Sequence, residues 1–410
     1  MSTTLLVGGT GLHDMANARQ TTETDIAPAR ADVRTASPAA VLVAQAEASG
    51  EGGPGEGGGS VLGTITEFRL ANNDPNAFGY DASRQISAYA DLVSRTYMAA
   101  RDAASNLKTA IDTLRHSPSV ATLKEAKAAW LAARADYLLS EAFLFYGGPV
   151  DGPEGPLPRL NGWPVDPAVI EGLIAEPSQA LDFRSLARLN KAEAPVKITT
   201  GLHVLEFLLW GADGEAAAAD FEGPLGSRRG EYAASVARLL SNDLGLLAAA
   251  WSPGNNNYRA SLNSMDKRNA MGRAFNGMAV LVGYELPLRR IGAGLFPANR
   301  NFQPSPFSGT SELDNRTSFE GARLVYFESG LDRLVDATDA ALAKKLTDGF
   351  ERAETALAAM DAPYQRFLTP APRSAERATA EAAARSLTDL AADLRQAANR
   401  LGVLVVIPGM

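Results

Sequence analysis

From Tyr80 onward the apolar residues recur at three- and four-residue steps, and that period limits the fold more than anything else in the chain. Ile86, Tyr89, Val93, Tyr97, Ala100, Leu107, Ile111 and Leu114 follow it, as one buried face of a helix requires. His116-Ser117-Pro118 ends this helix, and Thr122 with Glu125 has the spacing of a capping box for the next. That second helix is expected to reach about Phe145 and to stop at Gly147-Gly148-Pro149. Prolines and glycines then exclude a regular element from Asp151 to about Asp166. Helical patterns return at Pro167–Leu173, Leu181–Leu189, Thr200–Trp210, Glu231–Trp251, Leu262–Leu286, Ser318–Leu334, Asp336–Met360 and Ala375–Arg400. Val403–Ile407 is the one short run with strand character, and it reads equally as a packed tail. The expected fold is all-α, two packed helical bundles at 78–211 and 228–408, divided by a Gly-rich break around Ala212–Gly226. A pocket between the bundles would be a natural ligand site.

Residues 1–70 read as a flexible Gly/Ala-rich lead-in. The run Gly50–Gly59 consists of Gly, Glu and Pro, which cannot bury enough surface to offset its ordering entropy. The stretch Ala39–Ala44 followed by Ala44-Gln45-Ala46 has the outline of a signal-peptide end, but its apolar part is short and far from Met1. It reads either as a signal remnant or as part of a disordered arm. No apolar stretch is long enough to span a bilayer as a helix.

Composition narrows the chemistry. The 410 residues carry a formal charge of −8, which argues against a nucleic-acid partner. With no cysteine there is no disulfide, thiolate metal site or cysteine nucleophile. The three histidines are His13, His116 and His203, so any metal site must rest mainly on oxygen ligands, the preference of hard metals.

The segment Thr199–Gly211 stands apart. Thr199 or Thr200 could cap its start and Gly211 its end. Between them Leu202, Val204, Leu205, Phe207, Leu208, Leu209 and Trp210 point all round the helix, the mark of a buried element. His203 and Glu206 are its only strongly polar groups, and their i, i+3 spacing lets them meet. A buried carboxylate needs a proton, a cation or donors; a metal would meet that need, and so would a hydrogen-bonded structural pair. On the helix before Phe145, Trp130, Arg134, Tyr137 and Glu141 form a second stripe. Glu141 could supply a second carboxylate, and Arg134 is its expected counter-charge or an anchor for an anionic ligand, unless the two form only an internal salt bridge. Asn161-Gly162-Trp163-Pro164 could fold over a pocket or simply plug the bundle end.

These residues resemble the imelysin-like family. Its GxHxxE motif is matched by Gly201, His203 and Glu206 within GLHVLEFLLWG. The stretch AWLAARADYLLSEAFLFYGGPVDG, with Trp130, Arg134, Tyr137, Glu141 and Asp151, resembles the family's second helix and its exit. NGWPVD, Asn257-Tyr258-Arg259, Glu285-Leu286 and Ser305–Thr310 are also similar to family features, and the likeness spans about 78–408. It implies two bundles with rough internal pseudosymmetry and a site near their interface. It also implies a bacterial protein of the periplasm or outer-membrane region, connected with iron uptake. The implied metal residues are His203 and Glu206, with Glu141 as neighbour. The expected pocket residues are Arg134, Tyr137, Asn161, Trp163, Trp210, Ser308 and Thr310. One iron-related branch carries His and Cys in the Ser305–Thr310 loop; here PSPFSGTSELDN has neither, though Ser308 and Thr310 keep hydroxyls.

Three functions fit. The first is a protein that binds a metal ion, iron foremost, or a small metal-containing ligand, with an envelope protein as a further partner. The second is a non-enzymatic module for a peptide, glycan or protein. The third, a metal-dependent peptidase, has no HExxH motif behind it and would need Glu206 to act as both ligand and base. Metal titration separates the first from the second, and cleavage of unfolded protein tests the third.

Overall fold

The structure is a computed structural model that describes residues 78–190, 197–254, 256–295, 303–368 and 371–410. The lead-in at 1–70, with His13 and the candidate signal remnant, lies outside the described residues. Within them the chain is all-helical and no strand forms. In chain order the α-helices are α1 Ser83–His116, α2 Val120–Leu138, α3 Leu157–Asn161, α4 Pro167–Ala175, α5 Phe183–Leu189, α6 Leu202–Trp210 and α7 Gly223–Trp251. They continue with α8 Tyr258–Ser264, α9 Lys267–Val280, α10 Ser311–Glu328, α11 Leu331–Thr338, α12 Ala340–Ala358 and α13 Ala375–Arg400. A 3₁₀ turn, Leu139–Phe143, prolongs α2, and a π-helix, Leu281–Gly292, prolongs α9.

The 3.6-residue period is realised in α1, where every apolar position from Ile86 to Leu114 named above is buried. Its buried face packs against α2 and along α7. Farther on, α13 lies on the π-helix and on α12, while α10 crosses the 3₁₀ turn. Gly321 permits that crossing: a Cβ there would stand 2.4 Å from the Leu139 carbonyl oxygen. The close approach sets α10 beside Glu141.

Several expected boundaries shift, each for a local reason. The cap of α2 is Ser119, not Thr122: the Ser119 hydroxyl accepts from the Thr122 N–H, and the Thr122 hydroxyl accepts from the Ser119 N–H. The stretch expected to be irregular contains α3, because Pro156 and Pro158 fall at its N-terminus, where a missing N–H costs nothing. α7 opens at Gly223, eight residues before the expected Glu231, with Pro224 in its first turn for the same reason. The span expected as Leu262–Leu286 is divided by the Asp266 cap of α9, and that expected as Ser318–Leu334 by Gly330 in the left-handed region. Val403, Val405 and Ile407 form a buried extended tail rather than a strand, and the Val406 N–H donates to Asn276 Oδ1.

Candidate functional site

The site begins at a glycine. Gly201 has φ +101°, and a Cβ on it would lie 2.7 Å from the Leu160 carbonyl oxygen. Only glycine lets the start of α6 press against the end of α3. That contact brings His203 to Asn161. Gly201 is itself the N-cap, without a side-chain bond. Neither threonine caps the helix as expected: Thr199 donates its hydroxyl to the Leu186 carbonyl, and Thr200 Oγ1 is buried without a partner. Gly211 does end α6, at φ +76°. Arg159 fastens α3 from the other side, with two 3.0 Å bonds to the buried Asp243 of α7.

Asn161 is the hub. Its Oδ1 accepts from Arg134 at 2.6 Å and faces His203 Nε2 at 3.0 Å, while its Nδ2 donates to Glu141 at 3.0 Å. The chemistry of the neighbours fixes the amide orientation, because a guanidinium only donates and a carboxylate only accepts. His203 Nε2 must therefore carry the proton. Its Nδ1 lone pair is left facing Glu206 Oε2 at 3.5 Å. Burial, reinforced by the positive charges of Arg134 and Arg290, holds the His203 pKa well below its usual 6.5, so the ring is neutral.

Glu206 is fully buried. The loop before α10 reaches it: the Phe307 N–H, the Ser308 N–H and the Ser308 hydroxyl donate to Oε1 at 2.9, 2.7 and 2.8 Å. The Thr310 hydroxyl lies 2.9 Å from that of Ser308. Burial nevertheless wins over these donors and pushes the Glu206 pKa up to about 8. A proton shared between Glu206 Oε2 and His203 Nδ1 satisfies both groups.

Glu141 is held differently. Oε2 accepts from Arg290 at 2.8 Å and Ser318 at 2.6 Å, and Oε1 accepts from Asn161. Burial opposes ionisation, but the charges of Arg290 and Arg134 prevail and keep its pKa below the ordinary value. Its counter-charge is thus Arg290 of the π-helix rather than the expected Arg134. Arg134 gives two bonds, 3.0 and 2.7 Å, to Asp314 Oδ2, which also accepts from Ser305 at 2.6 Å.

Beside His203 opens a pocket of ≈ 210 Å³, lined by Trp163, Pro164, Gln303, Pro304 and Phe307 among others. The segment Asn161–Pro164 thus contributes both to the hydrogen-bonded hub and to the pocket wall. Of the expected pocket residues, Trp163 lines it; Ser308 is bonded to Glu206, and Thr310 stands against Ser308. Tyr137 is fully buried, its hydroxyl without a hydrogen-bond partner. Trp210 turns elsewhere: its ring meets Trp130 edge-on at 5.2 Å, under Lys127. Sequence reading missed Arg290, Asp314, Ser318 and Gln303; Ser318 shares its helix face with Ser311, Asp314 and Asn315, so no single polar residue stood out there.

The donor set can be tested against a metal. Among the described residues no group of three or more His, Asp or Glu side chains is placed to hold one. His203 Nδ1 and Glu206 Oε2 fit two positions of a coordination shell, with Asn161 orienting the imidazole from behind. Further ligands would have to come from solvent or a bound molecule.

A model of the imelysin family, also classed as peptidase family M75, matches residues 93–394. A stretch of 131 residues is 29% identical to iron-regulated protein A of Synechococcus elongatus, covering 32% of each chain. The matched stretch is therefore about a third of that relative's length. Two crystal structures share the fold, each with a TM-score of 0.63 over 80% of this chain. One is described as an iron-regulated protein A precursor from Parabacteroides distasonis, 20% identical and matched over 96% of its length. The other is an imelysin-like protein from Psychrobacter arcticum, 17% identical and matched over 99% of its length.

Proposed function

This chain belongs to the imelysin family, and on that premise we propose that it is an iron-handling binding protein whose His203–Glu206 pair takes a metal ion, or the metal of a small metal-containing ligand. The observation that carries the reading is the imidazole's orientation. Asn161 occupies the Nε2 proton and leaves the Nδ1 lone pair 3.5 Å from a carboxylate oxygen. Such a pair binds a proton or a cation, in competition. A cation between them meets the need that the proton otherwise fills, at the wall of a pocket where a chelating molecule can complete the shell. The iron-regulated relatives support iron as the metal. That the Parabacteroides relative is made as a precursor supports an exported, envelope protein here. Among the described residues no helix is long and apolar enough to cross a membrane.

Hydrolysis finds less support. A metallopeptidase needs a metal-bound water and a free base beside it, and the carboxylates around the pair are engaged: Glu206 Oε1 takes three donors, both oxygens of Glu141 are occupied, and Asp314 Oδ2 accepts from Arg134 and Ser305.

Calorimetric titration with ferric, ferrous, zinc, manganese and calcium ions tests the proposal, with a His203→Ala/Glu206→Ala variant alongside and circular dichroism to check folding. Binding by the parent and its loss in the folded variant is the expected result. No binding of any of these ions by the parent would sink the proposal.

A further inference from the structure

The wall of the pocket beside His203 has little to offer a charged group. None of its ten lining residues is Asp, Glu, Lys or Arg, and four of them, Pro164, Pro167, Pro304 and Pro306, have no N–H to give. Two polar side chains in the wall turn their polar atoms away from the space. His203 directs its ring nitrogens to Asn161 and Glu206, and both amide atoms of Gln303 are enclosed by protein. That leaves the Trp163 indole N–H as the one side-chain donor among the lining residues. The rest of the wall is apolar, with the rings of Trp163 and Phe307 as its largest surfaces. Water in such a space finds few partners, and a charged group would lose its hydration without replacement.

Both rings sit on backbone that the site already holds. The Phe307 N–H donates to Glu206, and the Phe307 ring meets Phe207 edge-on at 5.3 Å. Trp163 follows closely on Asn161, which Arg134 and Glu141 fix. We propose that this pocket binds an uncharged molecule, or part of one, that carries a single aromatic ring, seated against Trp163 and Phe307. The volume agrees: a cavity of about 150 Å³ accepts benzene, and ≈ 210 Å³ leaves room for one small substituent. An aromatic ring gains from edge-on or offset contact with Trp and Phe beyond the area it buries, so the pocket prefers it to a saturated ring of the same outline. The inference rests on the reading that the pocket beside His203 is the functional one, but it requires no metal.

The test uses the full chain in metal-free buffer and three probes of similar outline: benzyl alcohol, cyclohexylmethanol, which has no π-system, and benzoate, which is charged. Binding is measured by ligand-observed NMR and calorimetry. Benzyl alcohol is expected to bind about two- to tenfold tighter than cyclohexylmethanol, and about tenfold or more tighter than benzoate. Phe307→Leu keeps an apolar side chain and removes a ring. In the variant, with folding checked by circular dichroism, the preference for benzyl alcohol over cyclohexylmethanol should shrink toward parity. Trp163→Leu makes the same test from the other segment. Failure of benzyl alcohol to bind, no preference over cyclohexylmethanol, benzoate bound as tightly, or a preference unchanged in both variants would overturn the proposal. Because no metal is present, these results stand apart from the titration that tests the His203–Glu206 pair. The ring can belong to a free molecule or to the chelating molecule that completes the metal's shell, and catechol distinguishes the two. An affinity raised about tenfold or more by ferric ion assigns the ring to the chelate, and an unchanged affinity assigns it to a free molecule.

Discussion

The backbone N–H and the hydroxyl of Ser308 both donate to one oxygen of Glu206, at 2.7 and 2.8 Å. A loop from the second half of the chain thus holds the carboxylate of the GxHxxE helix, and those donors oppose the burial that drives Glu206 toward its neutral form. Ser308→Ala removes the hydroxyl and keeps the amide. A hydrogen bond to a charged group is worth about 1.5–3 kcal/mol, so the Glu206 pKa should climb by about one unit or more. Carboxyl-carbon NMR against pH reads the change. An unmoved titration would mean that the hydroxyl bond contributes nothing to the charged form.

Stability should depend on pH through the His203–Glu206 pair. The Glu206 pKa rises from an ordinary 4.5 to about 8 on folding. Its contribution is fully present below 4.5 and is lost as pH rises through about 8. His203 acts in the opposite sense: its folded pKa lies well below 6.5, so its neutral burial loses stability as pH falls below 6.5. Between 4.5 and 6.5 the two slopes oppose each other; between 6.5 and 8 Glu206 acts alone. Urea unfolding should therefore show stability falling over the upper window, by up to about 1.4 kcal/mol per pH unit. Glu206→Gln should flatten that fall and exceed the parent at pH of about 9. If parent and variant keep a constant difference from pH of about 6.5 to 9, the assigned titration is wrong.

The helical class and most elements were legible because α1, α12 and α13 bury one face and repeat at the helical period. The His203–Glu206 pair was legible for a related reason: two polar residues on an otherwise apolar nine-residue helix have few ways to be satisfied. What satisfies them was not legible. Asn161 and Ser308 were expected only as pocket residues, through the family resemblance; they reach His203 and Glu206 from α3 and a loop, and pairing at such sequence distances leaves no periodic trace. Arg134 illustrates the difficulty. Its i+7 neighbour Glu141 was the reasonable partner on one helix, but the shift to a 3₁₀ turn at Leu139 turns Glu141 toward Arg290 and leaves Arg134 to Asp314. Gln303 carried no signal, since an isolated glutamine between polar and proline-rich segments reads as surface.

Glu141 and Arg290 form a buried ion pair, with side chains 1% and 3% exposed. Removing one partner strands the other without solvent. Arg290→Met should cost about 3–5 kcal/mol in urea unfolding, and Glu141→Gln a comparable amount because Arg290 would keep only Glu285 and Ser318. The double variant should cost less than the sum of the singles, since neither charge is then left alone. Additive losses would show that the two side chains are not coupled.

Asn161 offers the sharpest separation between scaffold and site. Its Oδ1 fixes which imidazole nitrogen of His203 is free, and its Nδ2 satisfies Glu141. Asn161→Leu keeps the volume and removes both roles. Glu141 retains Arg290 and Ser318, so the fold should survive with a loss of about 1–3 kcal/mol. The imidazole, however, is no longer held with Nδ1 toward Glu206. Partners that orient a metal-bound histidine are typically worth about 10–100-fold in affinity, so calorimetry on the folded variant should show metal binding weakened by that factor. The pH dependence supplies an independent check. Metal capture must displace the proton shared by His203 and Glu206, so parent affinity should rise as pH approaches about 8. In Asn161→Leu the ring can turn away, and that dependence should become shallower. A variant that binds metal as tightly as the parent, with the same pH profile, would move the metal away from His203 altogether.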